Sequence, residues 1–264
     1  MKVYIAVDSE GSACIVREKH PEMVYGPWQA EYIRKRATEE AAAAVEGARE
    51  AGATDILVHD VGFIRGYSPV GLVLYYDRLP RGVEIALGGA PIKDVVDESF
   101  DAAMLLGHHA MAGTSDGVLA HSFSSAAIEK MMLNGRPVGE IALEALQIGH
   151  FGVPLAMVSA DEAGCREALH WLGDVEVAPT KRGLSTHQAI SLHPDDACDL
   201  IRSRAQAALE RLKDFRPFAL PPPYQLRTDC FTEDQARARA ERKGAEFIPP
   251  RSYVIRTDNC LDLI

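Results

Sequence analysis

Short apolar runs alternate along most of the chain with longer stretches in which apolar residues recur at helical spacing. "KVYIAVD", "DILVHD", "VEIALGG" and "AAMLLGHHA" are brief runs bounded by turn residues and read as buried strands. Between the first two lies "PWQAEYIRKRATEEAAAAVEGAREAGA", with Pro27 near its start, strong helix formers throughout and Gly52 at its stop. Strand, helix, strand over about fifty residues predicts a right-handed crossover and a mostly parallel sheet. Further on, "NGRPVGEIALEALQIGHFGV" opens with an Asn-Gly turn and runs into a helix, and "PLAMVSADEAGCREALHWLG" supplies a strand and a helix. Ser159 followed by Glu162 is the expected capping box of that helix.

A long amphipathic helix in "LHPDDACDLIRSRAQAALERLKDF" leads to Pro221–Pro223, which no helix crosses. Beyond the prolines, "YQLRTDCF", "TEDQARARAERKG" and "SYVIRTDN" predict strand, helix, strand. The expected fold class is therefore α/β, a mostly parallel sheet with helices on both faces, plus a small C-terminal α+β lobe. Residues 1–216 form the expected catalytic domain and residues 224–264 the lobe.

The 264 residues are 47% hydrophobic and 25% charged, as expected of a soluble globule. "MKVYIAV" has neither the length of a spanning helix nor a signal-peptide cleavage site, so no membrane partner is expected. The five cysteines are scattered, with no CxxC pair, which argues against a disulfide framework or zinc-thiolate site and for a reducing cytoplasm. A net charge of −10 argues against a nucleic-acid surface. The densest basic group, "RARAERK" from Arg237 to Lys243, is diluted by alanines and reads as a solvated helix face.

Chemistry enters at the strand ends. In an open parallel sheet, ligands collect at the carboxyl ends of the strands. There "VDSEG" places Asp8 and Glu10, "ILVHD" places Asp60, and "MLLGHHA" places His109. Taken singly, an aspartate after a strand caps a helix or turn, and a paired His108–His109 is one surface and one core residue. Together they offer one crevice the carboxylate and imidazole mix that suits zinc or a similar divalent ion. His121, after the turn "AGTSDGV", is placed to shuttle a proton or face an oxyanion, and Glu140 lies in the first turn of a helix, where the macrodipole favours a carboxylate.

Four blocks, "VDSEG", "ILVHD", "LLGHHAMAGTSDGVLAHSF" and "NGRPVGEIALEA", together resemble the zinc-dependent D-aminopeptidases of the dipeptide-transport operon type, peptidase family M55. The likeness continues through "PLAMVSADEAGCREA" and "TKRGLSTHQAISLHP". It implies that Asp8, Glu10, His109 and Glu140 are metal ligands, with Asp8 bridging two zinc ions, and that His121 is the catalytic histidine. It also implies a homo-oligomer of pentameric rings stacked as a decamer, and release of N-terminal D-amino acids from small peptides. One position departs: the family's second-strand histidine ligand falls at Gly62, for which Asp60 is the first candidate replacement and His59 the second. The family also generally continues with a further helix beyond "SYVIRTDN".

The expected function is a metal-dependent aminopeptidase with one or two zinc ions per subunit, acting on short peptides through water whose pKa the metal lowers. The alternatives are a metal-dependent hydrolase of another small amide or ester, and a degenerate member that binds without turnover.

Overall fold

The computed structural model describes residues 1–16, 26–64 and 72–264. The apolar runs fold as a seven-stranded sheet built from β1 (Lys2–Val7), β2 (Asp55–Asp60), β3 (Glu84–Ala86), β4 (Ala102–His108), β7 (Leu155–Asp161), β8 (Glu176–Ser185) and β9 (Gln188–Ser191). Its order is β3-β2-β1-β4-β7-β8-β9, parallel except for the β8–β9 hairpin. The strand order reverses between β1 and β4. Connections leave the sheet in opposite senses on either side of that point and open a crevice at the carboxyl ends.

Helices cover both faces. On one, α1 (Pro27–Glu50) and α5 (Pro194–Glu210) pack over the sheet through Ala37, Ala41, Ala44, Ala205 and Ala208, all fully buried. Small side chains let the two helices sit close to the strands and to each other. The other face carries the four-residue α2 (Ile92–Val95), α3 (Glu140–His150) and α4 (Glu162–Leu172). The N-cap of α4 is Asp161, whose side chain accepts from the Gly164 amide, and not the Ser159 of the expected capping box. The strand runs two residues further than that reading assumed, so Ser159 lies inside it and is fully buried.

A second, antiparallel sheet has the order β11-β12-β10-β5-β6. It comprises β5 (Ile128–Leu133), β6 (Arg136–Pro137), β10 (Tyr224–Cys230), β11 (Glu246–Ile248) and β12 (Ser252–Thr257), with α6 (Glu233–Lys243) packed on it. Asn134 and Gly135, both at positive φ, make the tight turn from β5 to β6. The segment after the prolines forms the strands and helix expected of it, and its β10 pairs directly with β5.

Helix α3 lies between the two sheets. Ile141, Ala145 and Ile148 pack towards the parallel sheet, whereas Ala142, Leu143 and Leu146 pack towards the antiparallel one. Every residue from Ile141 to Ile148 is buried, the behaviour of a helix apolar on all sides. Its first residue, Glu140, is thereby delivered to the seam between the sheets, beside the strand ends of the crevice.

Candidate metal centre

Asp8 and Glu10, the first two candidate ligands, hang on a close backbone crossing. After β1 the chain passes under the end of β4, where the Asp8 amide donates to Leu106 O at 2.8 Å and the Gly11 amide to Gly107 O at 2.7 Å. A β-carbon at Gly11 would stand 1.8 Å from His108 O, and one at Gly107, where φ is +65°, would stand 2.4 Å from Asp8 O. Only glycine permits this approach. Gly107 also sits at the irregularity in the β4–β7 pairing, which turns His108 and His109 in different directions.

Neither histidine of the pair is at the surface. His108 turns into the core, its Nε2 2.9 Å from Glu144 Oε2. His109 faces the crevice. Its Nδ1 lies 3.1 Å from Ala110 O, a group that can only accept, so in the neutral ring, the form that binds a metal, Nδ1 carries the proton and the Nε2 lone pair points inward. That Nε2 is buried without a hydrogen-bond partner, although Asp8 Oδ2 stands 3.5 Å away and Glu140 Oε1 3.4 Å away.

His121, on the loop between β4 and β5, stacks on His109 with ring centroids 4.0 Å apart, and its Nε2 lies 3.9 Å from Glu140 Oε1. Its Nδ1 is bonded to Leu119 O at 2.8 Å, which again leaves Nε2 bare towards the site. Donor atoms of His109, His121 and Glu140 all lie within 4.8 Å of one another. Glu140 Oε1 accepts from the Phe123 amide at 2.6 Å, and Glu10 Oε2 accepts from the Ser9 hydroxyl at 2.9 Å.

The electrostatics are those of an anionic site. Burial raises the Asp8 carboxyl well above its ordinary range, and repulsion by Glu10 and Glu140 adds to this against the pull of His109. Burial also opposes the charged forms of His109 and Glu140, but their mutual attraction prevails: His109 is held well above the usual histidine range, and Glu140 is held down at about 2. His121 is lowered by burial and by the charge of His109, so it stays neutral.

Several supporting residues escaped the sequence reading. Lys181 on β8 is buried and donates to the carbonyls of Glu10 at 2.5 Å, Ser12 at 2.7 Å and Ile15 at 2.7 Å. Glu40 on α1 accepts from the Ala13 amide of the same loop at 2.7 Å. Asp161 accepts from the Val118 amide at 2.7 Å and Glu167 from the Met111 amide at 2.7 Å, which fixes the loop carrying His121. No residue pattern marks them: Glu40 follows Glu39, Glu167 follows Arg166 and Lys181 precedes Arg182, in elements that carry other charges.

Position 62, the place of the family histidine, is closed. A β-carbon on Gly62 would stand 2.8 Å from Val73 Cγ2. Asp60, the first candidate replacement, has one oxygen engaged: its Oδ2 accepts from the Val73 amide at 2.9 Å, the Leu74 amide at 3.0 Å and the Tyr76 hydroxyl at 3.0 Å, while its Oδ1 is buried without a hydrogen-bond partner among the described residues. The charges that act most on Asp8 are those of Glu10, His109 and Glu140. His59, the second candidate, is bonded through Nδ1 to the buried Tyr4 hydroxyl at 2.7 Å.

The donor set fits a divalent cation. Three carboxylates and two imidazoles with inward lone pairs converge in a largely buried place, where like charges repel unless a cation sits among them. The 3.4 and 3.5 Å separations about His109 Nε2 match the edge of a zinc tetrahedron, about 3.3–3.4 Å for bonds of about 2.0–2.1 Å. Asp8, Glu10, His121 and Glu140 line a cavity of about 1000 Å³, at the upper end of the range for small-ligand sites.

Comparison with known proteins places this arrangement. A D-aminopeptidase of Bacillus subtilis (strain 168) is 30% identical over 223 residues, which is 84% of this chain and 78% of the relative. The solved structure of DppA from Bacillus subtilis, described as a Zn-dependent D-aminopeptidase and a self-compartmentalizing protease, superposes with a TM-score of 0.88 at 25% identity, covering 100% of this chain and 94% of that one. The whole sequence, residues 1–264, matches the Peptidase_M55 family of D-aminopeptidases, and the chain belongs to that family.

Proposed function

We propose that this protein is a metal-dependent aminopeptidase that releases N-terminal D-amino acids from short peptides. The observation that carries the reading is the unpartnered His109 Nε2 facing Asp8 and Glu140 at ligand-to-ligand distances. Asp8, Glu10, His109 and Glu140 hold the ion in this reading. A divalent ion bound there supplies Lewis acidity towards the scissile carbonyl and lowers the pKa of water. Zinc is the ion named for the structural neighbour. With Gly62 in place of an imidazole and no room for a side chain there, the set is one ligand short of the family's, which favours one firmly held ion over two.

The remaining steps fall to the protein's own groups. Carboxylates at the acidic end of the cavity attract the substrate's terminal ammonium and orient the first peptide bond. His121, neutral and with its Nδ1 proton committed to Leu119 O, uses Nε2 to take a proton from the attacking water and return it to the leaving amine. Selectivity for D-residues is supported by the names of the relatives. The self-compartmentalizing neighbour supports a homo-oligomer, and we read the pentameric ring, paired as a decamer, as its form. Among the described residues no helix is long and apolar enough to cross a membrane.

Hydrolysis of D- and L-aminoacyl p-nitroanilides, with metal analysis of the same sample, tests the reading. The expected result is about one zinc per chain and turnover of the D-series. His121→Ala should lower kcat by on the order of 100-fold to 1,000-fold with the metal retained. A loss below about tenfold would remove His121 from the role assigned to it.

A further inference from the structure

The cavity that begins at the anionic metal centre reaches helix α6 of the antiparallel sheet. Its lining includes Asp8, Glu10 and Glu140 and also Arg239, Arg242 and Lys243. The other arginine at that end of α6 behaves differently: Arg237 is paired with Glu233 at 2.7 Å and lies over the Phe247 ring. Among the described residues no carboxylate forms an ion pair with Arg239, Arg242 or Lys243. Lys243 is lowered by partial burial and by repulsion from Arg242, Arg239 and Lys93. In a chain of net charge −10, three neighbouring cations without an ion-pair partner give this cavity wall, which also carries the C-terminal Ile264, a solvated positive face that an anion entering the cavity can pair with. The solvated helix face predicted for "RARAERK" holds at Arg237, Arg242 and Lys243, all exposed, while Arg239 is half-buried; Arg239, Arg242 and Lys243 are the part of that face turned to the cavity.

A short peptide has one charge of each sign at its ends. Its ammonium suits the carboxylate end, so its carboxylate is carried towards the opposite wall. Guanidinium groups bind carboxylates through paired, charge-assisted hydrogen bonds, and a cavity of this volume accommodates a small ligand rather than a folded chain. We propose that Arg239, Arg242 and Lys243 bind the free C-terminal carboxylate of the substrate, so that the enzyme selects short free-acid peptides by both ends. This rests on the aminopeptidase reading above and adds the substrate class to it.

The test compares D-alanyl dipeptides and tripeptides, each as the free acid and as the C-terminal carboxamide, on the metal-loaded oligomer. The free acid should show a KM at least about tenfold lower than the amide at similar kcat. The Arg239→Gln, Arg242→Gln, Lys243→Gln triple variant should lose that distinction, with its metal content unchanged and its rate on the amide within about twofold of the parent. Single substitutions serve if the triple variant fails to fold, and the acid–amide comparison needs no variant. If the parent cleaves acid and amide with kcat/KM within about twofold, the carboxylate wall is refuted and the peptidase reading stands. If it cleaves neither, both fall together.

Discussion

Lys181→Met is the most demanding check on how the loop carrying Asp8 and Glu10 is held. The substitution keeps the aliphatic stem but deletes an ammonium that donates to the carbonyls of Glu10, Ser12 and Ile15 at 2.5, 2.7 and 2.7 Å. Burial lowers this ammonium to about 8, and Glu40, Asp161 and Glu10 oppose the shift, so at pH 7 it remains mostly charged. Three carbonyls lose a charged donor, each such bond being worth about 1.5–3 kcal/mol, though the losses do not add in full. Breaking a buried charge network by deleting one partner costs about 3–5 kcal/mol, a large part of a typical stability of about 5–15 kcal/mol. With a urea m-value of about 3 kcal/mol/M, the unfolding midpoint of the metal-free protein should fall by about 1–1.7 M. Because Asp8 and Glu10 lie on the same loop, zinc affinity should fall as well. Glu40→Gln is the contrast: burial raises the Glu40 carboxyl to about 7, and the amide oxygen of glutamine can still accept from Ala13, so at pH 6 the cost should stay below about 1 kcal/mol. A Lys181→Met protein that loses less than about 1 kcal/mol and keeps its zinc affinity would refute the loop-clamp argument.

Further outcomes follow from the second strand. Asp60→Ala deletes the acceptor of three hydrogen bonds and should cost about 2–4 kcal/mol in urea unfolding with zinc content unchanged, whereas loss of the metal would restore Asp60 as a ligand. Gly62→His should destabilise by about 1–3 kcal/mol through overlap with Val73 and add no ion, and Val73→Ala should recover part of the loss; metal counting and thermal unfolding decide this. His59, which burial lowers to about 4, stays neutral in the folded chain while the unfolded chain protonates near 6.5. Stability is therefore lost as pH falls from about 6.5 to about 4, by up to about 3 kcal/mol, and His59→Gln should flatten that slope in denaturation curves.

Much of this was legible before any coordinates, for identifiable reasons. Parallel strands are buried on both faces, so "KVYIAV" and "AAMLLGH" announce themselves as continuous apolar runs, and the acids and imidazole that follow them fall where an open sheet gathers ligands. The second sheet was harder to see. Its β5 and β10 are separated by roughly ninety residues, and a pairing over that distance leaves no local periodicity. The surroundings of Asp60 and Gly62 were not legible, because a two-residue period says which way a side chain points and not what fills the space there; Val73 and the Tyr76 hydroxyl fill it. Lys181 was overlooked because its three partners are main-chain carbonyls, which no residue pattern encodes.

The contact of main chain on main chain at Gly11 and Gly107 bears on how such an enzyme can change. The approach of Asp8 and Glu10 to the end of β4 is set by two peptide backbones pressed together, at a contact that only glycine allows. That end of the cleft is inelastic, and alterations there abolish the chemistry and do not retune it. The opposite end rides on a separate sheet whose helix α6 turns exposed polar residues to the cavity, positions of a kind where substitution costs little stability. New substrate ranges should accordingly arise by drift in α6, under a reaction centre that stays the same.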